Sequence, residues 1–322
     1  MKAIVQDVYG PADVLELRDI DKPAVGDRDV LVRVRAAGVD AGVWHLMTGQ
    51  PYALRLGYGF RGPRNPVRGM DVAGHVEAVG SKVTRFQVGD EVFGACKGSF
   101  AEYACARQDR LAPMPVNLTF EQAAAVPMSA FTALQAVRDK GRVQEGQKVL
   151  VIGAAGGVGT FAVQLAKMYG ADVTGVSRTA KTDLVRSIGA DDVIDYTRED
   201  FADGRRRYDV ILDIGGNRSL SHLRRALTPA GTLVIVGGED GGRWLGGTER
   251  LLRAALLSPF TGQKLLSLIS AEREEDLRFL TELLEAGKIK PVVDRTYPLA
   301  EVADAIRHLH EGRVRGKVVI TV

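Results

Sequence analysis

Between Lys148 and Arg178 the apolar positions change period twice, from a continuous run to helical spacing and back to a run. Lys148 to Ile152 is short, branched and apolar, the pattern of a strand buried on both faces of a parallel sheet. Phe161 to Met168 reads FAVQLAKM, with apolar residues at helical spacing, and Gly170 stands where a helix stops. Val173 to Val176 is a second strand. The segment therefore predicts strand, glycine-rich turn, helix and strand in succession.

Gly153, Gly156, Gly157 and Gly159 fill the turn. Positions without side chains let the backbone turn tightly, let a pyrophosphate approach main-chain N–H groups, and let the helix pack close to the strand. An anion at the start of the helix meets unpaired N–H groups and the positive end of the helix dipole. Taken alone, the glycine pattern is also that of a plain tight turn. Its setting between a strand and a helix makes it a dinucleotide site. Ser177 and Arg178 close the second strand, with Lys181 shortly after, where an NAD site places an Asp or Glu for the ribose 2′-hydroxyl. A carboxylate there would repel a 2′-phosphate, whereas a hydroxyl and two cations bind and neutralise it. The cofactor expected is NADPH.

Elsewhere the pattern divides the chain. Residues 1 to about 125 are strand-rich, with VLVRVRAAGV, VAGHVEAVG and DEVFGA separated by Gly, Pro and Asp turns. Helices begin near Phe120. Beyond the glycine turn the alternation continues: a helix at 180–188, strands at Val193–Ile194 and Tyr208–Ile214, a helix at 219–226 and a strand at Thr232–Val236. Such alternation predicts an open parallel sheet with helices on both faces. Leu251–Ile269 and Glu274–Glu285 read as helices closing a core, and Lys317–Val322 as a terminal strand. The class is α/β, a Rossmann-type doubly wound sheet joined to a β-rich domain.

Length and charge narrow the function. A chain of 322 residues has room for two domains with sizeable cores, and 45% hydrophobic with 26% charged residues is ordinary globular composition. The net charge of +3 is small and dispersed, and its densest basic run, Arg205–Arg207, lacks interleaved aromatics, so nucleic acid is not an expected partner. Two cysteines, Cys96 and Cys105, do not make a disulfide framework and are compatible with a reducing compartment. The first residues, MKAIVQDVYG, lack an apolar secretory core, and no apolar run is long enough to span a membrane. The expected location is the cytoplasm.

The order of a β-rich domain, GAAGGVGTFAVQLAK, VSR, GADDVIDY and a final GKVVITV resembles the medium-chain dehydrogenase/reductase superfamily, and within it the zinc-free quinone oxidoreductase branch. AAGVDAGVWHLMTG, PVRGMDVAGHVEAVGSKVTRFQVGDEVFG and AAAVPMSAFTAL extend the resemblance over nearly the whole chain. It implies a GroES-like domain over 1–124, completed by 288–322, and a Rossmann NADPH-binding domain over 125–287. Zinc-dependent relatives hold their metal with Cys, the His of a GHE segment, and a later Cys or Asp. The matching positions here are Asp40, Met70 and Asp71, and Met128 or Ser129, a set poorly suited to Zn²⁺. His75 falls five residues beyond the family's His.

Without a Lewis acid, the easiest chemistry is hydride delivery to an electron-poor acceptor, a quinone or an α,β-unsaturated carbonyl, whose developing charge is delocalised. The resemblance places a cleft tyrosine at Tyr52, and a phenol donates a hydrogen bond while neutral; Tyr58 competes for that role. It also puts Thr132 near the nicotinamide, Gly156, Gly157 and Val158 at the pyrophosphate, and Ser177, Arg178 and Lys181 at the adenosine phosphate. Tyr196 is expected beside the adenine or its phosphate, Val236 and Gly237 flanking the nicotinamide, and Lys317 closing the site. Relatives commonly carry Asn at position 40 and Asp at position 43. A homodimer is implied, joined through an edge strand near Thr232–Gly238. An alcohol or aldehyde dehydrogenase and a non-catalytic NADPH-binding regulator are the alternatives.

Overall fold

Where apolar residues run or alternate, the chain forms strands. The computed structural model describes residues 1–322 apart from 217, 238–241, 243, 245 and the side chain of Thr248. The first strands are β1 (Lys2–Val5), β2 (Glu16–Asp19), β3 (Asp29–Val39), β4 (Asp71–Val79), β5 (Glu91–Ala95), β6 (Tyr103–Arg107) and β7 (Leu111–Pro113). There follow β8 (Lys148–Ile152), β9 (Asp172–Ser177), β10 (Asp192–Asp195), β11 (Tyr208–Asp213), β12 (Leu227–Ile235) and β13 (Lys264–Ser267). The last two are β14 (Val293–Pro298) and β15 (Lys317–Thr321).

The chain divides into two units, Met1–Phe131 with Glu272–Val322, and Thr132–Ala271. In the first, β3 is the organising strand. It pairs antiparallel with β15, β4 and β6 within a sheet ordered β14-β15-β3-β4-β5-β7. Its alternating Val30, Val32 and Val34 enter a core with Val72, Phe100, Leu111, Ile306 and Ile320. The terminal strand β15 thus completes a sheet begun near the N-terminus. These units meet at 131/132 and 271/272, whereas the domains expected from the resemblance meet at 124/125 and 287/288. Helix Glu274–Glu285 buries Leu277, Leu280 and Leu284, the Leu284 carbonyl accepts from Asn117 Nδ2 at 2.9 Å, and Glu274 pairs with Arg85 at 3.1 Å. Those contacts tie the helix to the first unit.

The second unit is a parallel sheet ordered β10-β9-β8-β11-β12-β13. From β8 the chain adds β9 and β10 on one side, then returns to add β11, β12 and β13 on the other. A switch point therefore lies between β8 and β11, where ligands bind in such sheets. Leu150, Ile211, Leu233 and Leu265 form its core.

Two expectations are corrected here. The segment expected to be helical from Leu251 to Ile269 is helical over Thr248–Leu257 only, turns at Ser258–Phe260, and becomes β13. Pro259 and Gly262 interrupt the helix, and Leu265 gains burial by entering the sheet beside β12. In consequence β12, which carries Thr232, is an interior strand, and the edges of the sheet among the described residues are β13 on its side and β10 on the other. Gly238 lies outside the described residues.

Candidate cofactor cradle and buried charged centre

The glycine turn of the second unit is built as an anion cradle. Gly153 leaves β8 with a φ of 84°, a conformation that excludes most side chains. Its carbonyl is so close to Gly159 that a Cβ there would lie 2.1 Å away, so helix Gly157–Met168 rests directly on the strand. Gly156 begins that helix, and no side chain caps it. Across the switch point, Ile214 N–H and Gly215 N–H donate to the Ile152 carbonyl at 3.1 and 3.2 Å, so the loops after β8 and β11 meet. These residues fit a dinucleotide: an uncapped twelve-residue helix and close-packed glycines leave room and N–H groups for a pyrophosphate.

Around this cradle the carboxyl ends of β9, β10 and β12 present most of the expected cofactor residues. Ser177 ends β9 and is buried, its hydroxyl reaching the Arg178 carbonyl at 3.4 Å. Arg178 Nε donates to the Tyr196 hydroxyl at 2.5 Å, and Tyr196 N–H donates to the Ser177 carbonyl at 3.2 Å. Lys181 lies one turn on, its N–H donating to the Arg178 carbonyl at 2.9 Å. Asp195, at the end of β10, is occupied by the Thr179 and Thr197 hydroxyls, which hold its carboxyl below the usual range. Val236 and Gly237 follow β12, their N–H groups donating to the Asp213 carbonyl at 3.0 and 3.1 Å. Thr132 opens the unit on helix Pro127–Leu134.

Two residues of this edge escaped the sequence reading. The guanidinium carbon of Arg218, in the loop after β11, lies 5.7 Å from the centre of the Tyr196 ring, and that of Arg178 lies 6.0 Å from it. Arg250 pairs with the fully buried Asp213 at 2.7 Å and donates to the Gly237 carbonyl at 3.0 Å. Burial pushes the Asp213 carboxyl up and Arg250 opposes it. No local pattern announces either arginine, because each is brought in by a loop or helix across the switch point.

The first unit holds a second polar grouping, inside its core. Asp40 caps the end of β3, Asp71 opens β4, and Lys317 opens β15, so pairing of these strands brings the three side chains together. The Lys317 ammonium is 3.0 Å from Asp71 Oδ2 and also donates to Asp40 Oδ1. Lys317 is 3% exposed and Asp71 0%. Met128 N–H donates to Asp71 Oδ1 at 2.9 Å, and the Ser129 hydroxyl to Asp40 at 3.3 Å. Gly38 makes room, since a Cβ there would be 2.5 Å from Asp71 Oδ2. Burial, then Asp40, push the Asp71 carboxyl well above the carboxylate range, against Lys317. Burial also works against the ammonium, but the two carboxylates outweigh it and raise Lys317.

Lys317, expected to close the cofactor site, has its ammonium committed to Asp40 and Asp71. The resemblance drawn from the sequence puts Asp40 and Asp71 at metal positions of zinc-dependent relatives. A zinc ion fits this donor set poorly: both carboxylates already share an internal cation, and the remaining donors are a thioether and a hydroxyl. Among the described residues, no group of three or more His, Cys, Asp or Glu side chains is arranged to hold a metal. The histidines are engaged otherwise: His75 lies 3.5 Å from Glu91, His222 2.9 Å from Asp200, His308 2.9 Å from Asp294, His310 stacks on Trp44, and His45 contacts the Gln50 carbonyl at 3.0 Å. Tyr52 begins a short turn, Tyr52–Leu54, with the Arg55 guanidinium 4.6 Å from its ring.

Comparison with known proteins agrees with this architecture. Residues 26–116 match the alcohol dehydrogenase GroES-like domain, and residues 188–320 match the zinc-binding dehydrogenase family. Human quinone oxidoreductase is 32% identical over 99% of this chain and 97% of its own. The chain belongs to the medium-chain dehydrogenase/reductase superfamily, in its quinone oxidoreductase-like branch. It is an oxidoreductase. Similar at 34% are the tomato (Solanum lycopersicum) 2-methylene-furan-3-one reductase and the chloroplastic NADPH-dependent alkenal/one oxidoreductase of Arabidopsis thaliana, each over 99% of this chain and 79% of the relative. The Coxiella burnetii quinone oxidoreductase superposes with a TM-score of 0.86 at 29% identity, covering 100% of this chain and 99% of that one.

Proposed function

We propose that the chain is a zinc-independent, NADPH-dependent reductase of quinones or α,β-unsaturated carbonyl compounds, working as a homodimer in the cytoplasm. The observation that carries this reading is the Lys317 ammonium between Asp40 and Asp71, at the place of the metal in zinc-dependent relatives. A buried lysine locked to two carboxylates polarises no substrate oxygen, so the acceptor must stabilise its own developing charge. Conjugated carbonyls and quinones do so. The names of the tomato, Arabidopsis and human relatives support the same acceptor classes.

NADPH, when bound, supplies a hydride, and a proton completes the two-electron reduction. Gly156, Gly157 and Val158 would hold the pyrophosphate, Ser177, Arg178 and Lys181 the 2′-phosphate, and Tyr196 the adenine edge. Val236, Gly237 and Thr132 would orient the nicotinamide. Arg250 fixes Gly237 through its carbonyl and so supports that end of the cradle. Tyr52 donates a hydrogen bond to the acceptor. Among the described residues no helix is long and apolar enough to cross a membrane, which accords with a cytoplasmic location.

The dimer joins through β13, the edge strand beside β12, rather than through β12 itself. Leu252, Leu256 and Phe260, just before that edge, are exposed, Phe260 by 87%. An open edge beside exposed apolar side chains is a self-pairing surface. Light scattering should read twice the chain mass, and Leu256→Glu with Phe260→Glu should halve it.

A second reading draws on a solved NAD-dependent alcohol dehydrogenase, 30% identical with a TM-score of 0.87. Steady-state assay of chelator-treated protein separates the two. The reductase reading expects NADPH oxidation with quinones and enones and no gain from added zinc. Activity confined to simple alcohols or aldehydes and restored by zinc would replace it.

A further inference from the structure

The inference rests on the function proposed above and concerns what the acceptor carries. Between Leu54 and Met70 stand four arginines, Arg55, Arg61, Arg64 and Arg68, and no acidic residue. Elsewhere the chain pairs many of its guanidiniums: Arg107 with Asp109, Arg110 with Glu272, Arg206 with Asp192, and Arg307 with Asp13 and Asp304. Among the described residues, none of the four lies within ion-pair distance of a carboxylate. The imbalance sits on the segment that follows Tyr52.

Arg68 is the decisive member. Its side chain is 5% exposed, and its Nε is sealed from solvent without a hydrogen-bond partner. Gly69 and the start of β4 fix the backbone there, with the Arg68 carbonyl accepting from Phe100 N–H at 2.9 Å. Burial pulls the Arg68 pKa down, and the Tyr9 phenol is the neighbour that opposes it. An arginine stays charged at neutral pH, so this is a buried cation without a counter-charge among the described residues. Such a group is costly unless an anion from outside completes it.

Arg55 stands beside that phenol and beside Tyr52. The Arg55 guanidinium lies 4.5 Å from the centre of the Tyr9 ring and 4.6 Å from that of Tyr52, so the two phenols flank it. Tyr9 is held by a 2.7 Å hydrogen bond from its hydroxyl to the Gly59 carbonyl. Arg55 spends Nε on the Gly49 carbonyl at 3.0 Å and Nη2 on the Thr48 carbonyl at 3.5 Å, which leaves donors uncommitted. Between the arginines, Leu56 and Phe60 are 78% and 76% exposed, an apolar surface next to unpaired positive charge.

We propose that the acceptor bears an oxyanion, a carboxylate or phosphate at the end of an apolar chain, received by Arg68 with Arg55 of the same segment assisting. A guanidinium meets either group through two parallel hydrogen bonds, and a buried one does so with little competition from water. Arg61 and Arg64, exposed on the same segment, draw the anion in.

The test is steady-state kinetics of the full chain with NADPH on three linear enones that share their reacting end and differ only at the far terminus: carboxylate, phosphate monoester or methyl ester. The expected result is a kcat/KM for one or both charged acceptors at least about tenfold above the ester, equal to about 1.4 kcal/mol. The arm that gains more identifies the oxyanion. Arg68→Met should cost the charged acceptors far more than the ester and so abolish their advantage over it, and Arg68→Lys should restore part of that advantage. Should Arg68→Met fail to fold, competition in the wild type replaces it: octanoate or octyl phosphate should inhibit ester reduction at concentrations where octanol does not. Equal kcat/KM for ester and charged acceptors, equal inhibition by octanol, or an equal loss for all three in Arg68→Met overturns the inference and leaves the reductase reading standing. Absence of turnover with every enone and quinone overturns both.

Discussion

Removal of the internal cation has a cost that the geometry sets. In Lys317→Met, Asp71, fully buried, and Asp40, largely buried, lose an ammonium that stands 3.0 Å from one of them and bonds the other. At an effective dielectric of about 20, each attraction at that separation is worth roughly 5 kcal/mol before desolvation is subtracted. Breaking a buried pair by deleting one partner leaves a net loss of about 3–5 kcal/mol. For a unit of this size that corresponds to a fall in Tm of roughly 6–20 °C. The loss should depend on pH. With its folded pKa raised above the unfolded value, the Asp71 carboxyl binds more protons folded than unfolded, so its contribution falls as pH rises from the unfolded carboxylate pKa through the folded one. The variant should therefore regain stability as pH is lowered from neutral toward about 5. Urea unfolding across that range, on Lys317→Met alone and with Asp40→Asn, provides the assay. One fewer buried carboxylate should reduce the penalty of Lys317→Met by at least about 1 kcal/mol. A loss below about 1 kcal/mol, or one that grows on acidification, refutes the electrostatic account.

Arg178→Ala with Lys181→Ala should raise the Kd for NADPH by about 30-fold or more, from two charged hydrogen bonds, while NADH changes little; equal weakening of both would remove the phosphate assignment. Arg218→Ala should weaken both nucleotides together if its task is to hold the Tyr196 ring, as titration of Tyr196-dependent nucleotide binding would report. Gly159→Ala places a Cβ 2.1 Å from the Gly153 carbonyl and should cost about 1–3 kcal/mol of stability with a larger loss of cofactor affinity, read by denaturation with and without NADPH. Burial pushes the thiol of Cys96, 5% exposed, well up and that of the half-buried Cys105 to about 11, so both should react slowly with thiol reagents at neutral pH, and labelling of Cys96 as fast as a free thiol would contradict its burial.

The second unit was the more legible half of the chain. β8, the glycine turn and helix Gly157–Met168 follow from period changes and glycines that act locally, and each lies near where pattern alone puts it. The stretch from Leu251 was misread because LLRAALL has a helical period, while KLLS is too short to declare one; its identity as β13 depends on the empty flank of β12, a tertiary fact. Lys317 and Asp71 are 246 positions apart in the chain, and only the pairing of β15 and β4 with β3 joins them. A signal was nonetheless present: acids at two positions of the family's metal site, with a lysine opening the apolar run KVVIT. The acid-free stretch from Arg55 to Arg68 was equally visible as composition, but its meaning depends on Arg68 being buried, which no local pattern conveys.

The central claim is that hydride reaches a conjugated acceptor without help from a metal. It is tested most directly by supplying 4-deuterated NADPH and an enone to chelator-treated protein and locating the label in the product by mass spectrometry and NMR. The account predicts deuterium on the β-carbon of a saturated ketone, at a rate that zinc does not change. Deuterium on the carbonyl carbon of an allylic alcohol, formed only after zinc is returned, would contradict it.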